Sequence, residues 1–136
     1  MTSKILSDAP DHVSRCLQLA ILLEVSAYPK PGNVHRTADF QETRYEHFLA
    51  SAAALPPHFR HAAEQGIKVF DKRITLSQIG IGEIIRNAVA DVAAWQHGGN
   101  TLLGSIILLI PMATAAGLAF ANNMSFSIDK FRDSLK

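Results

Sequence analysis

Apolar residues recur at helical spacing along nearly the whole chain, and the alternation typical of strands does not compete with it. In the first such stretch the apolar positions lie three or four residues apart, at Val13, Leu17, Ala20 and Ile21. Asp8 is expected to cap this helix with Pro10 in its first turn, because proline lacks the N–H that a helix start leaves unbonded. Tyr28-Pro29 should end it, since the residue before proline avoids the helical region. The pattern predicts an all-α fold.

Three further helices follow from their start and stop signals. Thr43 and Glu46 form a capping-box pattern before one helix, and the Leu55-Pro56-Pro57 sequence ends that helix and opens the next. Ser77 is expected to cap a helix that runs to Trp95, and Gly98 fits the left-handed position that follows a helix. Asn100 or Thr101 should cap the helix that comes after it.

That next helix, residues 102–120, is apolar on all sides and contains Pro111, where we expect a kink. Its length would allow a membrane span, but the proline, two glycines and the lack of Lys or Arg at its ends favour a buried core helix. A helix that is apolar on all sides needs neighbours on every side. The domain is therefore expected to be part of a larger helical domain or to associate with a second copy. A last amphipathic helix is predicted from Ser127.

Composition narrows the class of protein. The 136 residues predict one compact domain, residues 1–136. Hydrophobic residues make up 48% and the formal net charge is +1, which argues against a disordered tail and against nucleic acid as the main partner. No apolar signal segment precedes Asp8, so a cytoplasmic location is predicted. The single cysteine, Cys16, excludes an internal disulfide and is expected to be a small buried residue.

The densest polar cluster lies between residues 29 and 42. Pro29 and Pro31 bracket Lys30, and the next residue, Gly32, permits a turn and close approach of a ligand. The cluster continues with an amide, two possible cations and a carboxylate, at Asn33, His35, Arg36 and Asp39. This set suits a polyphosphate with Mg²⁺, although an ordinary solvated loop has the same composition.

Two other clusters are candidates for ligand binding. One cluster leads into a helix start and consists of Gly98-Gly99-Asn100-Thr101, followed by Gly104. Backbone N–H groups and the helix dipole at a helix start favour phosphate binding. A C-cap of one helix followed by an N-cap of the next would have the same sequence pattern. Glu83 follows Gly80 and Gly82 at a helix start, with Asn87 and Asp91 on the same side. Glu24 is a carboxylate near the end of an otherwise apolar helix. His58 and His61 stand beside Arg60 without nearby acidic ligands, which indicates a surface pair rather than a zinc site.

Several of these motifs together resemble the triphosphoribosyl-dephospho-CoA synthase family. The resemblance rests on Glu24-Val25, on Pro29-Lys30-Pro31-Gly32-Asn33-Val34-His35-Arg36, on Asp39-Phe40, on His47-Phe48-Leu49 with Ser51-Ala52, on Gly80, Gly82 and Glu83, and on Asn100-Thr101 with Gly104. After Pro-Lys-Pro-Gly the chain continues with Asn33-Val34-His35-Arg36, which is more similar to the archaeal branch of this family than to the bacterial one. Family members are about twice this length, so the chain resembles their N-terminal half.

The resemblance implies an all-α transferase that moves the triphosphoribosyl group of ATP to 3′-dephospho-CoA, or a related acceptor, and releases adenine. It further implies Asp39 and Glu83 as catalytic residues, and Glu24 and Asp91 as ligands of Mg²⁺. Substrate and phosphate would be bound by Lys30, Gly32, Asn33, His35, Arg36, Asn100, Thr101 and Gly104. The alternatives are a non-catalytic assembly module or an inactive half-domain, either of which would oligomerise through the apolar helix.

Overall fold

The computed structural model describes the backbone of residues 2–122 and the side chains of residues 8–122. Five α-helices follow one another: α1 Thr2–Ser26, α2 Tyr45–Ala54, α3 Pro56–Phe70, α4 Ile81–Trp95 and α5 Leu103–Ala121. A 3₁₀-helix, Leu76–Gln78, precedes α4. Within this range the only β-type pairing is one isolated bridge between His35 and Ala38. The predicted all-α class is confirmed, whereas the helix expected from Ser127 lies outside the described residues.

The core is built around the pairing of α3 with α5, which α1 and α4 flank. Phe59, Ile106 and Ile110 are completely buried there. The two helices approach at backbone distance, because an added Cβ at Gly66 would lie 2.0 Å from the Thr114 carbonyl oxygen. The reciprocal contact places a Cβ at Gly117 2.0 Å from the Ala63 carbonyl oxygen. Only glycine fits at this crossing.

Helix α5 is central, as predicted, but it is not covered on all sides. Ile107 and Leu108 are 52% and 62% exposed. Among residues 2–122, α5 is the one helix that is long and apolar enough to cross a membrane, and 39% of its most apolar window is buried within the protein. The helix continues through Pro111 to Ala121, with Asn122 as its C-cap, and the kink expected at Pro111 stays a prediction.

Two predicted helix starts are wrong. Helix α1 begins at Thr2 and continues through Pro10; Ala9 and Pro10 are buried, so packing offsets the hydrogen bond that proline cannot make. The helix assigned to Ser77 begins only at Ile81. Gly80 adopts the left-handed conformation, with φ 75°, which interrupts a right-handed helix.

Three further local predictions fail because tertiary contacts compete. Helix α2 begins at Tyr45 and Thr43 does not cap it, since the Thr43 hydroxyl donates to the Gly98 carbonyl oxygen at 2.8 Å. The left-handed residue after α4 is Gly99, with φ 76°, and not Gly98. Cys16 is exposed and its Sγ lies 3.6 Å from His12 Nε2, because this face of α1 borders an apolar groove rather than α3.

Candidate functional site

A cavity of about 410 Å³ opens where the end of α1, the loop of residues 27–44 and the start of α5 meet. It brings together two clusters that lie some 70 residues apart in sequence. The residues that line it are Glu24, Asn33, Val34, Phe40, Thr43, Phe48, Asn100, Thr101, Leu102, Gly104 and Ser105. We call it the Asn33/Asn100 cavity.

The segment of residues 96–102 is held against α2 by hydrogen bonds. The buried Gln96 side chain accepts from Gly98 N and donates to the Gly99 carbonyl oxygen at 2.8 Å. Gly98 packs against the His47 ring, where an added Cβ would lie 1.9 Å from Nδ1. The Gly98 carbonyl oxygen accepts the Thr43 hydroxyl. These contacts fix the backbone that carries Asn100 and Thr101 into the cavity.

A second set of bonds orients the Thr101 hydroxyl. Ser51 is fully buried, and its hydroxyl donates to the His47 carbonyl oxygen at 2.7 Å. The hydroxyls of Ser51 and Thr101 are also 2.7 Å apart. Since Ser51 has one proton and has already donated it, Thr101 must donate to Ser51. Thr101 therefore keeps acceptor lone pairs for a group in the cavity.

The two asparagines present donors. Asn33 Oδ1 accepts from Val34 N at 2.8 Å, and Asn100 Oδ1 accepts from Leu103 N at 3.2 Å. With one bond accepted by each amide oxygen, each residue retains its NH₂ group as donor and a second lone pair on the oxygen. The Asn100 side chain thus bonds the N–H of the first residue of α5, but the N-cap position is Leu102 and not Asn100 or Thr101, so the predicted cap is wrong. Gly104 and Ser105 lie in the first turn of α5, where backbone N–H groups lack helical acceptors.

An ion pair brings a cation to the edge of this cavity. Lys30 Nζ lies 2.6 Å from Glu24 Oε1, and the lysine side chain is only 15% exposed while the glutamate is 60% exposed. Pairing of the largely buried ammonium with a carboxylate keeps its charge compensated. The structure thus joins two of the predicted site residues, one from α1 and one from the loop.

The other predicted loop residues lie outside the lining of the cavity. The Arg36 guanidinium lies 5.5 Å over the Tyr28 ring, and the His35 ring meets the same tyrosine edge to face at 5.6 Å. His35 Nδ1 lies 3.2 Å from the Thr37 hydroxyl. Gly32 adopts φ 75°, which explains the glycine at this turn.

The predicted catalytic and metal carboxylates are not gathered in one place. Asp39 Oδ1 accepts from Tyr45 N at 2.8 Å and so caps α2 from the loop. Glu83 lies in the first turn of α4, 3.9 Å from Arg86. Asp91 Oδ2 lies 2.7 Å from His58 Nε2, so this histidine has an acidic neighbour that comes from another helix. Neither Glu83 nor Asp91 lines the Asn33/Asn100 cavity.

Across the side chains of residues 8–122, no group of three potential metal ligands from His, Cys, Asp and Glu occurs. Glu24 and Asp91 do not share a site. The donor set of the cavity does fit Mg²⁺ held by one carboxylate together with substrate phosphates, the usual arrangement for this ion in nucleotide sites. Glu24 is the carboxylate among its lining residues.

Several residues of the site were not identified as functional from sequence. Phe40 and Phe48 contribute to the lining, while Thr43, Ser51 and Gln96 hold the 96–102 segment. A weak signal existed for three of them, because Phe40, Phe48 and Ser51 belong to the motifs of the family resemblance. Nothing local marked Gln96, whose role depends on the turn it encloses.

The fold and the cavity define an all-helical domain with a donor-rich site at a helix N-terminus, of the kind that binds polyanions. The model of one protein family, described as CitG: ATP:dephospho-CoA triphosphoribosyl transferase, matches residues 10–134. The chain belongs to this transferase family. Comparisons with curated proteins and with solved structures gave no match.

Proposed function

We propose that the Asn33/Asn100 cavity binds the triphosphoribosyl part of ATP and that the domain takes part in its transfer to 3′-dephospho-CoA, with release of adenine. One observation carries the proposal: Asn33 of the Pro-Lys-Pro-Gly-Asn motif and the Asn100-Thr101 helix start line the same cavity, and Lys30 of that motif is paired with Glu24, which also lines it. Neither motif is specific alone. Their convergence in a family of triphosphoribosyl transferases gives both of them a common ligand.

The polar groups around the cavity suit a triphosphate. Lys30 supplies a cation, the two asparagines supply NH₂ donors, and the first turn of α5 supplies backbone N–H groups and the positive end of the helix dipole. Charge-assisted hydrogen bonds from such donors are about twice as strong as neutral ones. Magnesium, held by Glu24 and the phosphates, would neutralise further negative charge.

The acceptor groups suit the sugar and the incoming hydroxyl. In the reaction a ribose hydroxyl of dephospho-CoA forms a bond to C1 of the ATP ribose, and the bond from C1 to adenine breaks. The hydroxyl loses its proton, and the leaving adenine takes up one proton. A carboxylate stabilises the oxocarbenium-like state at C1 and can accept the proton. Asp39 is our candidate: it is outside the lining of the cavity but adjacent in sequence to the lining residue Phe40, and its bond from Tyr45 N holds the carboxylate in place. Thr101 offers acceptor lone pairs to a sugar hydroxyl.

The first experiment is adenine release, followed by liquid chromatography, from ATP, Mg²⁺ and dephospho-CoA. We expect release that depends on the acceptor and is abolished by Lys30→Ala. A chain that binds ATP without releasing adenine would retain the binding part of the proposal and contradict turnover by these 136 residues alone.

The binding part has matched controls. Lys30→Ala and Asn100→Ala should each weaken ATP binding at least tenfold in calorimetric titration, about the effect of losing one charged or one well-placed hydrogen bond. Lys68→Ala in α3 and Asn87→Ala in α4 remove the same residue types outside the cavity lining and should leave ATP affinity unchanged. Equal weakening by the control variants would contradict the assignment, as would unchanged affinity in both site variants.

A second candidate function is assembly through α5. Exposed large apolar side chains occur in the first half of this helix at Leu103, Ile107 and Leu108, a feature typical of a surface that contacts another polypeptide. This alternative predicts a molecular mass that rises with concentration in light scattering and returns to that of a monomer in Leu108→Lys. A monomer at all concentrations would contradict it.

A further inference from the structure

Phe40 is an exposed aromatic residue at a polar cavity. Its side chain is 54% exposed although it lines the Asn33/Asn100 cavity. The backbone around it is held firmly: Phe40 N donates to the Thr43 carbonyl oxygen at 2.9 Å, and the neighbouring Asp39 caps α2. The ring is therefore presented by an anchored turn and is not a core residue that packs against neighbours on all sides.

The rest of the cavity leaves one part of a nucleotide without a partner. Hydrogen-bond donors and a cation account for phosphates, and Thr101 accounts for a sugar hydroxyl group. A purine base needs an apolar surface on which its flat face can stack. Phe40 and the less exposed Phe48 are the two aromatic residues among those that line the cavity.

We propose that Phe40 is the stacking surface for the adenine of ATP, and that this contact makes the cavity prefer a nucleoside triphosphate to a bare polyphosphate. The inference rests on the proposed function, because it assumes that the triphosphate occupies the donor-rich part of the same cavity. Phe40 contacts the base and does not touch the phosphates. Its removal should therefore change affinity for ATP and leave affinity for inorganic tripolyphosphate unaltered.

The test is calorimetric titration of wild type and variants with ATP and, separately, with inorganic tripolyphosphate. We expect Phe40→Ala to lower ATP affinity about 5- to 100-fold, the effect of losing one base–aromatic stacking contact, with tripolyphosphate affinity unchanged. Phe40→Trp should restore ATP affinity, because it retains a flat aromatic face. Phe70→Ala, which removes a 42% exposed phenylalanine at the end of α3, is the matched control and should bind both ligands as wild type does.

Each other outcome overturns the inference in a recognisable way. If Phe40→Ala lowers the affinity for ATP and for tripolyphosphate equally, Phe40 acts by supporting the loop and not by stacking. If it changes neither affinity, the base lies elsewhere, while the assignment of the triphosphate still stands on Lys30→Ala. If wild type binds neither ligand, the proposed function itself fails and the inference falls with it.

Discussion

The close backbone approach of α3 and α5 gives the sharpest stability prediction, namely the effect of Gly117→Ala in α5. The added Cβ would lie 2.0 Å from the carbonyl oxygen of Ala63 and 2.7 Å from its carbonyl carbon. Both atoms belong to the backbone of α3, so no side-chain rotation can relieve the clash. The two helices have to move apart where they cross.

The geometry sets the magnitude. To reach ordinary contact at 3.4 Å, the helices must separate by about 1.4 Å locally, and a gap of roughly 0.5–1 Å already forfeits a quarter to a half of the dispersion attraction across it. The fully buried Ala62, Ala63 and Ala113 lie at this crossing. Overpacking costs roughly 1–3 kcal/mol or more, and alanine returns about 1 kcal/mol of helix propensity. Because rigid backbone atoms meet here, the upper end of that range applies, and we expect a net loss of about 2 kcal/mol, or a fall in Tm of about 4–8 °C.

Thermal and urea denaturation followed by far-UV circular dichroism measure this loss. Gly82→Ala in α4 is the control, because the same substitution there meets nothing within 4 Å. It should leave Tm unchanged or raise it by a few degrees. A Gly117→Ala protein as stable as Gly82→Ala would refute the close approach of α3 and α5.

Two further predictions concern the site. A methyl group added by Gly104→Ala also meets nothing within 4 Å, so the Tm of this variant should be unchanged. Its ATP affinity, measured by calorimetry, should fall because the methyl group enters the cavity. Gly82 is likewise the second residue of its helix, and an equal fall in ATP affinity in Gly82→Ala would argue for a site at Glu83 instead. Thr43→Val leaves the Gly98 carbonyl without its donor and should cost about 1–2 kcal/mol in urea denaturation, whereas unchanged stability would show that the bond does not hold the 96–102 segment.

Where the sequence predicted correctly, the determining signal was local. Apolar spacing identified the helices because one helix face must be buried whatever it packs against. The stop at Tyr28-Pro29 and the break at Leu55-Pro56 depend on backbone chemistry within a few residues, and each agrees with the structure to within two residues. The family motifs also identified residues that line the cavity, because a motif is likewise recognised from residues close together in sequence.

The failures arose where a residue has a choice of partners. Thr43 can cap α2 or bond to Gly98, and only the tertiary arrangement selects the second. Asp39 was expected to serve chemistry alone, yet it also caps α2 from six residues away. Glu83 and Asp91 looked equivalent to Glu24 as candidate carboxylates, but the helices carry them to other surfaces with their own partners.

By itself, then, the sequence determined that this protein is helical, where most helices end, and which two polar clusters could bind phosphate. Only the tertiary structure decided that these clusters, some 70 residues apart, line one cavity with Glu24 and Phe40. The physical reason is that local propensity acts over a few residues, whereas a site depends on which helices pack together. Here Gly66 and Gly117 allow α3 and α5 to pack at backbone distance, and contacts with α2 hold the 96–102 segment at the cavity.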